Sequence, residues 1–114
     1  MKLRVSRQAW NDLLDVKAYT LEHFGFDQLE RYESLIEAAL LRIAEEPTGG
    51  KERPELQAGV RSRHIGQPGR RARHVFFYRV APDGVAEVIR FLHDAMDFAR
   101  HLPEGDDEAM VSDG

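Results

Sequence analysis

Four consecutive large apolar residues near the middle of the chain restrict its fold more than any other feature. Val75, Phe76, Phe77 and Tyr78 lie within the segment HVFFYRV. Successive side chains of a β-strand point to opposite faces, so a strand containing this run is apolar on both faces. Strands of that kind lie in the middle of a sheet. The sequence therefore predicts a central strand with other parts of the chain covering it.

The segments beside this strand predict an antiparallel sheet. VAEVIRFLH follows HVFFYRV, and Ala81-Pro82-Asp83-Gly84 lies between the two runs. Pro82 fixes φ, and the Asp-Gly pair tolerates the positive φ of a tight turn, so we expect a β-hairpin. Residues 60–65 form a further short strand pattern, followed by turn residues at 66–69. Three strands joined by tight turns are expected to be antiparallel.

A first helix is predicted after a short N-terminal strand. Leu3 and Val5 alternate with charged residues, and Ser6 is a suitable N-cap for the helix that follows. Large apolar residues recur in this helix at four-three spacing, with Lys17 at the margin of the same face and Leu13 and Ala18 alongside it: Trp10, Leu14, Leu21 and Phe24. We expect this face to be buried.

A second helix is predicted between Asp27 and Pro47. Gly25 ends the first helix, and the segment from Asp27 to Glu30 resembles a capping box. Apolar residues then recur at helical spacing: Leu29, Tyr32, Leu35, Ile36, Ala39, Leu40 and Ile43. Because the connection at Gly25 is so short, the two helices should be antiparallel neighbours. A sheet face is the surface that could bury both.

These elements define an α+β fold in the order β-α-α-β-β-β. An N-terminal strand precedes an antiparallel helical hairpin, which packs on a mostly antiparallel sheet. A short C-terminal helix, capped by Asp97 and ending near Leu102, is predicted to complete the domain. We assign residues 1–102 to one domain. Residues 103–114 are acidic and contain few apolar groups, so we expect a disordered tail.

Several classes of chemistry lack a sequence signal. The chain has no cysteine, and its five histidines show no metal-binding spacing, so no metal site is expected. No phosphate-binding glycine loop and no nucleophile motif occur, so we expect no cofactor and assign no catalytic residue. The chain shows neither a signal peptide nor an apolar run long enough for a bilayer, so we expect a cytoplasmic protein without membrane contact.

Arginine is concentrated around the hairpin, although the formal net charge is −4. Between Lys51 and His74 there are seven Lys and Arg residues and only two glutamates. Such a block could face an anionic partner, or it could be a solvated surface that keeps the hairpin soluble. Arginine and histidine together could also bind a phosphate and move a proton, as RNA cleavage requires, with Tyr78, His74 or His93 as proton carriers. A histidine at a strand end often has only a structural role.

Motifs before and after the hairpin carry a family resemblance. They are Pro54-Glu55-Leu56, Gly59-Val60-Arg61, the strand HVFFYRV, the segment VIRFLHDAMD from Val88 to Asp97, and Arg100-His101-Leu102. Together they resemble the ParE branch of the RelE/ParE toxin superfamily over about residues 2–102. The closing motifs, from Ile89 onward, are the most specific part of the resemblance.

The resemblance implies the toxin of a toxin–antitoxin pair. ParE-type toxins act on DNA gyrase, and a cognate antitoxin neutralises them. RelE-type relatives instead cleave mRNA on the ribosome, with several basic residues and a C-terminal Arg or Tyr. Here the segment from Asp94 to Leu102 lacks such a basic-aromatic ending, so the resemblance favours an inhibitor that is not itself an enzyme. A ribosome-dependent mRNA endonuclease and a decayed toxin that only binds its partner are the alternatives.

On this interpretation the basic residues form a partner-binding site. The implied partners are the antitoxin and DNA gyrase, with DNA contacted only indirectly. The residues expected to bind antitoxin or gyrase are Arg61, Arg63, Arg73, Arg79, Arg90 and His93. The resemblance implies no cofactor. An apolar groove or an open strand edge is expected to receive a segment of the antitoxin.

Overall fold

The computed structural model describes residues 2–67, 70–93 and 112–113. Its elements, in chain order, are β1 (Leu3–Val5), α1 (Arg7–Phe24), α2 (Phe26–Glu45), a 3₁₀ turn (Pro47–Gly49), β2 (Lys51–Glu52), β3 (Arg61–Gln67), β4 (Arg70–Val80), β5 (Ala86–His93) and β6 (Ser112–Asp113). The predicted α+β fold is confirmed, with β2 and β6 as additions. The predicted C-terminal helix and most of the predicted tail lie outside the described residues.

The sheet has the strand order β2-β3-β4-β5-β1-β6. Strands β2 to β5 are antiparallel neighbours, and β1 is parallel to β5, with Leu3 opposite Ala86. Strand β4 is central, and each of its residues from Val75 to Tyr78 is 0% exposed. Both predictions, a mostly antiparallel sheet and a central strand buried on both faces, are confirmed.

The turn between β4 and β5 has the geometry that its residues favour. The amide of Gly84 donates to the carbonyl of Ala81 at 2.8 Å, and Gly84 has φ of 86°. The Asp83 carboxylate accepts a hydrogen bond from the Val85 amide at 3.0 Å. Because a positive φ is strained for any residue with a Cβ, glycine is the residue that suits this corner. The hairpin prediction is confirmed.

The two helices form the predicted hairpin, although its corner differs in detail. Ser6 caps α1 by accepting a hydrogen bond from the Ala9 amide at 3.0 Å. Gly25 has φ of 88° and separates the helices as the only intervening residue. The capping box predicted at Asp27 is wrong, because α2 already begins at Phe26. Asp27 lies in the first turn of α2 instead, where the positive end of the helix dipole stabilises its negative charge.

The expectation for the buried face of α1 is also wrong, except at Leu13. The core-facing line consists of Ala9, Leu13 and Thr20, with Val16 partly buried beside them. Two contacts with β5 fix the rotation of α1 about its axis: the Ser6 hydroxyl donates to the carbonyl of Ile89, and Asp12 accepts from the amide of Phe91. Successive residues of an α-helix are rotated by 100° about its axis. With Ser6 and Asp12 held against β5, the larger apolar residues of α1 therefore face away from the core.

Those larger residues form an exposed line, which we call the α1 stripe: Trp10, Leu14, Leu21 and Phe24. Their exposed fractions are 55%, 50%, 47% and 64%. The apolar face predicted for α2 is confirmed, since Ile36, Ala39 and Ile43 are buried. Neither helix is long and apolar enough to cross a membrane, as judged on the described residues.

The apolar core has a separate cluster on each face of the sheet. On the helical face, Phe76, Tyr78 and Phe91 pack with Leu13 and Ile43. On the opposite face, Val75, Phe77 and Leu92 form the second cluster, with Leu56 of the loop before β3 packed against it. Side chains of β4 alternate between the clusters, which explains why the whole run from Val75 to Tyr78 had to be apolar.

Candidate partner-binding surfaces

Arg61 lies on β3 and holds the connection that follows α2. Its Nη1 donates to the carbonyls of Thr48 and Gly50, each at 3.0 Å, and its Nη2 lies 3.5 Å from the Glu52 carboxylate. Side chains two residues apart in a strand share a face, so Arg63 lies on the same face as Arg61. The structure therefore brings these two predicted site residues together near the end of α2.

Tyr78 lies beside this pair and is occupied by the same connection. Its hydroxyl donates to the carbonyl of Pro47 at 2.8 Å and accepts from the amide of Gly50 at 2.9 Å. A Cβ on Gly50 would stand 2.3 Å from that hydroxyl, so the close approach requires glycine. Because both hydrogen-bonding directions are used for structure, this buried tyrosine is poorly placed to carry protons.

Arg63 differs from Arg61 in its hydrogen bonding. Its Nε is buried and has no hydrogen-bond partner within the described ranges. One of its terminal nitrogens would stand 3.1 Å from a Cβ built on Gly49. An unpaired buried donor costs free energy. Arg63 is therefore a cation whose hydrogen-bonding capacity is not fully used within the fold.

Arg73 and Arg79 lie on the other face of the sheet. Both are odd-numbered residues of β4, like the second-cluster residues Val75 and Phe77. Arg79 donates to the side-chain oxygen of Gln57 at 3.1 Å and is partly buried. Arg73 is exposed. The predicted basic rim is therefore divided by the sheet, with Arg61 and Arg63 on one face and Arg73 and Arg79 on the other.

Arg90 connects the sheet to α1. Its guanidinium makes two parallel hydrogen bonds to the Asp12 carboxylate, at 2.7 and 2.9 Å, and Asp12 also accepts from the Phe91 amide at 3.0 Å. The two side chains are only 15% and 14% exposed. Strand β1 pairs with β5 only as far as Val88. Asp12 therefore satisfies a backbone amide of β5 beyond the end of β1.

His93 belongs to an aromatic group at the end of β5. Its ring meets the His74 ring edge-on at 5.3 Å, and His74 stacks on Phe91 at 5.1 Å. His74 Nδ1 is also hydrogen-bonded to the Tyr32 hydroxyl of α2. This arrangement joins two of the proton carriers considered from the sequence.

Two surface carboxylates are held ionised by arginine. A hydrogen bond from Arg4 and one from the Val85 amide hold the pKa of Asp83 below its ordinary value of 3.8. A hydrogen bond from Arg53 likewise holds the pKa of Glu55 below its ordinary value. The Arg4–Asp83 pair links two distant parts of the chain, whereas Arg53 and Glu55 are two residues apart in the same loop. Neither pair groups carboxylates into a metal site. Among the described residues, no cluster of three or more His, Asp or Glu side chains suits a metal ion.

The α1 stripe is the surface that sequence reasoning assigned incorrectly. The four-three spacing identified its residues, but it gave no means of telling a buried face from an exposed one. Leu41 of α2 is a further exposed apolar residue, at 43%. Lys17, on the stripe's own face, forms an ion pair with Glu33 of α2 at 3.6 Å. The stripe therefore borders α2 and lies on the outer side of the helical hairpin.

Comparison with known proteins identifies relatives along most of the chain. A family model described as "ParE toxin of type II toxin-antitoxin system, parDE" matches residues 3–98. Toxin ParE1 of Caulobacter vibrioides is 38% identical over 100 residues, which cover 87% of this chain and 95% of that protein. Toxin ParE1 of Mycobacterium tuberculosis H37Rv is 35% identical over 83 residues, 73% of this chain and 79% of that protein.

Proposed function

The chain belongs to the ParE toxin family of type II toxin–antitoxin systems, and from this premise we propose that it inhibits DNA gyrase and is neutralised by a cognate antitoxin. It acts in the cytoplasm as an inhibitor of an enzyme and has no catalytic activity of its own. One observation favours an inhibitor over a nuclease: most of the predicted site arginines are already hydrogen-bonded within the fold. Arg61, Arg79 and Arg90 each bind groups of the same chain.

RNA cleavage needs a general base, a general acid and stabilisation of the phosphate in one place. The guanidiniums that would stabilise a phosphate here lie on different sides of the fold. Arg90 is held by Asp12, and Arg61 by backbone carbonyls. Releasing Arg90 would leave a largely buried carboxylate unpaired, which is costly. This distribution supports a protein that works through its surface.

A gyrase-binding surface requires cations that are open to a partner, and Arg63 and Arg73 fit that requirement. Within the described ranges neither forms an ion pair; Arg73 is exposed, and Arg63 is partly exposed although its Nε is buried. Guanidiniums bind carboxylates and phosphates in bidentate fashion. In this proposal the two arginines contact acidic groups of gyrase, and reach DNA only through the gyrase–DNA complex.

A ribosome-dependent nuclease is the second candidate, and the Tyr32–His74–His93 group is the observation that favours it. The two candidates give different results in a pair of assays on purified toxin. Supercoiling of relaxed plasmid by gyrase should stop in its presence, whereas ribosome-bound mRNA, examined by primer extension, should stay intact. Codon-specific cuts with normal supercoiling would establish the nuclease. Inactivity in both assays would indicate a decayed toxin.

A further inference from the structure

The two sides of the sheet differ in how their edges are protected. At one side the outer strand is β2, which is only two residues long, and both residues are charged and exposed. Short, charged outer strands resist pairing with other chains. At the other side, β1 carries Leu3, which is 7% exposed, and Val5, which is partly buried. Its charged residue, Arg4, is already paired with Asp83 and Glu87. Without β6, β1 would therefore be an outer strand with little protection.

The backbone of Val5 faces the outer edge of β1. The amide of Ser6 donates to a carbonyl of β5 at 2.9 Å. Backbone groups of successive residues in a strand point to alternate sides, so the amide and carbonyl of Val5 point away from β5. Ser112 of β6 lies opposite Val5, and Asp113 lies opposite Arg4. Val5 and Ser112 are therefore the hydrogen-bonded pair of this antiparallel ladder, and Arg4 and Asp113 are the non-hydrogen-bonded pair.

The charges of the two chain ends are complementary. Residues 2–7, which include β1, contain three Lys and Arg and no Asp or Glu. Residues 104–113, which end in β6, contain five Asp and Glu and no Lys or Arg. Opposite charges favour the association of these two segments, whereas a second copy pairing β1 with β1 would bring two basic segments together. The chain's own C-terminal end is therefore the occupant that suits this edge.

The pairing of β6 with β1 is short enough to be reversible. The ladder has only two residues on each strand, and each hydrogen bond replaces bonds that both groups make with water. Residues 94–111 tether β6 to the end of β5, so the strand acts at an effective concentration in the millimolar range. An extended segment supplied at a similar concentration should be able to replace it.

We infer that the outer edge of β1 is a binding site for an extended backbone segment, and that the chain's own β6 closes this site as a displaceable strand. The closed edge keeps a strand of another chain from pairing with β1. The family model matches residues 3–98, so β6 lies outside the matched region, and the closure is inferred for this chain alone.

Amide hydrogen exchange of the full-length chain, followed by NMR, tests the closure. Ser112→Pro removes the amide of the hydrogen-bonded pair, so the Val5 amide should exchange about tenfold faster than in wild type, as expected for an edge that is closed about nine-tenths of the time. Asp113→Pro is the matched control, because a proline whose nitrogen faces away from β1 removes no ladder bond. It should change the exchange of Val5 by less than about threefold. The Phe77 amide of β4 should exchange equally slowly in all three proteins, which reports an intact fold.

A synthetic peptide with the sequence of residues 108–114 tests whether the opened edge binds a strand. Added at millimolar concentration, it should shift the Val5 amide resonance of Ser112→Pro. Its apparent Kd for wild type should be about tenfold higher, because β6 must leave the edge first. The same peptide with proline in place of Ser112 should bind neither protein. Salt should weaken the binding, since the two segments carry opposite charges.

Four outcomes would overturn the inference. Equal exchange of the Val5 amide in wild type and Ser112→Pro would show that β6 does not close the edge. Equal acceleration in Asp113→Pro would show that the ladder bond is not the cause. Failure of the peptide to bind Ser112→Pro would show that the edge is not a strand-binding site. Protection of Val5 that rises with protein concentration would show that β6 pairs with β1 of a second copy.

Discussion

The contact between Asp12 and Arg90 gives the sharpest test of how this fold is held together. Substituting Asp12 with alanine leaves the guanidinium of Arg90 unpaired and removes the acceptor of the Phe91 amide. Both side chains of the pair are about one-seventh exposed. Removing one partner of a largely buried pair costs about 3–5 kcal/mol. A chain of this length has a free energy of unfolding of roughly 6–17 kcal/mol, so the loss is a large fraction of the total.

Urea unfolding measures this loss. With a slope of about 2 kcal/mol per M, the midpoint of Asp12→Ala should fall by about 1.5–2.5 M. Asp12→Asn retains one oxygen for the Phe91 amide but loses the charge and one of the two acceptors of Arg90, so its cost should be smaller than that of Asp12→Ala, about 1–3 kcal/mol. Asp15→Ala is the control, since Asp15 is exposed on the same helix, and it should cost less than about 0.5 kcal/mol.

A double-mutant cycle separates the pair from its surroundings. Arg90→Ala together with Asp12→Ala should cost less than the sum of the two single substitutions, because the second change removes a charge that the first left unpaired. If Asp12→Ala shifts the midpoint no more than Asp15→Ala does, Asp12 does not hold α1 on β5. The stated reason for the rotation of α1 would then be refuted.

Three further predictions concern the rest of the chain. Tyr78→Phe leaves the Gly50 amide and the Pro47 carbonyl without their buried partner and should lower the free energy of unfolding by about 1–3 kcal/mol, measured with urea; an effect below about 0.5 kcal/mol would show that water replaces the hydroxyl. The depressed pKa of Asp83 contributes stability that is present above its ordinary value and lost as the pH falls through the folded-state value. Asp83→Asn should therefore be less stable than wild type at pH 6, and the difference should shrink as the pH falls below the ordinary Asp83 pKa of 3.8; parallel pH profiles would contradict this. Deleting residues 103–114 removes the two-residue β6 and a segment poor in apolar groups, so the thermal midpoint should fall by only a few degrees; a larger fall would show that the segment stabilises the domain.

The sheet and the order of its elements could be predicted from the sequence because the deciding signals are local. Four adjacent apolar residues on β4 require burial on both faces, and Asp83-Gly84 specifies its own turn. The rotation of α1 depends on contacts between residues far apart in the chain. Ser6 bonds to Ile89, 83 residues away, and Asp12 to Arg90, 78 residues away. A four-three apolar pattern alone could not show which side of α1 faces the sheet.

The candidate site was harder to predict for a similar reason. The sequence shows that arginines are concentrated around the hairpin, and on that basis it predicts one common site. Strand alternation instead places Arg61 and Arg63 on one face of the sheet and Arg73 and Arg79 on the other. Arg61 donates to Thr48 and Gly50, and Arg79 donates to Gln57. These acceptors lie in connecting segments whose sequences show little helix or strand periodicity. Composition could identify the cations, whereas only the fold distinguishes those engaged internally from Arg63 and Arg73.

The most direct test of the central claim is a supercoiling titration with three purified proteins: toxin, antitoxin and gyrase. Gyrase activity should fall as toxin is added and should return fully when antitoxin reaches a one-to-one ratio with toxin. Arg63→Glu with Arg73→Glu should weaken the inhibition more than His93→Gln, because the arginines are the cations left open to a partner. Gyrase activity that stays constant at every toxin concentration, with a toxin that is folded and binds its antitoxin, would contradict the account.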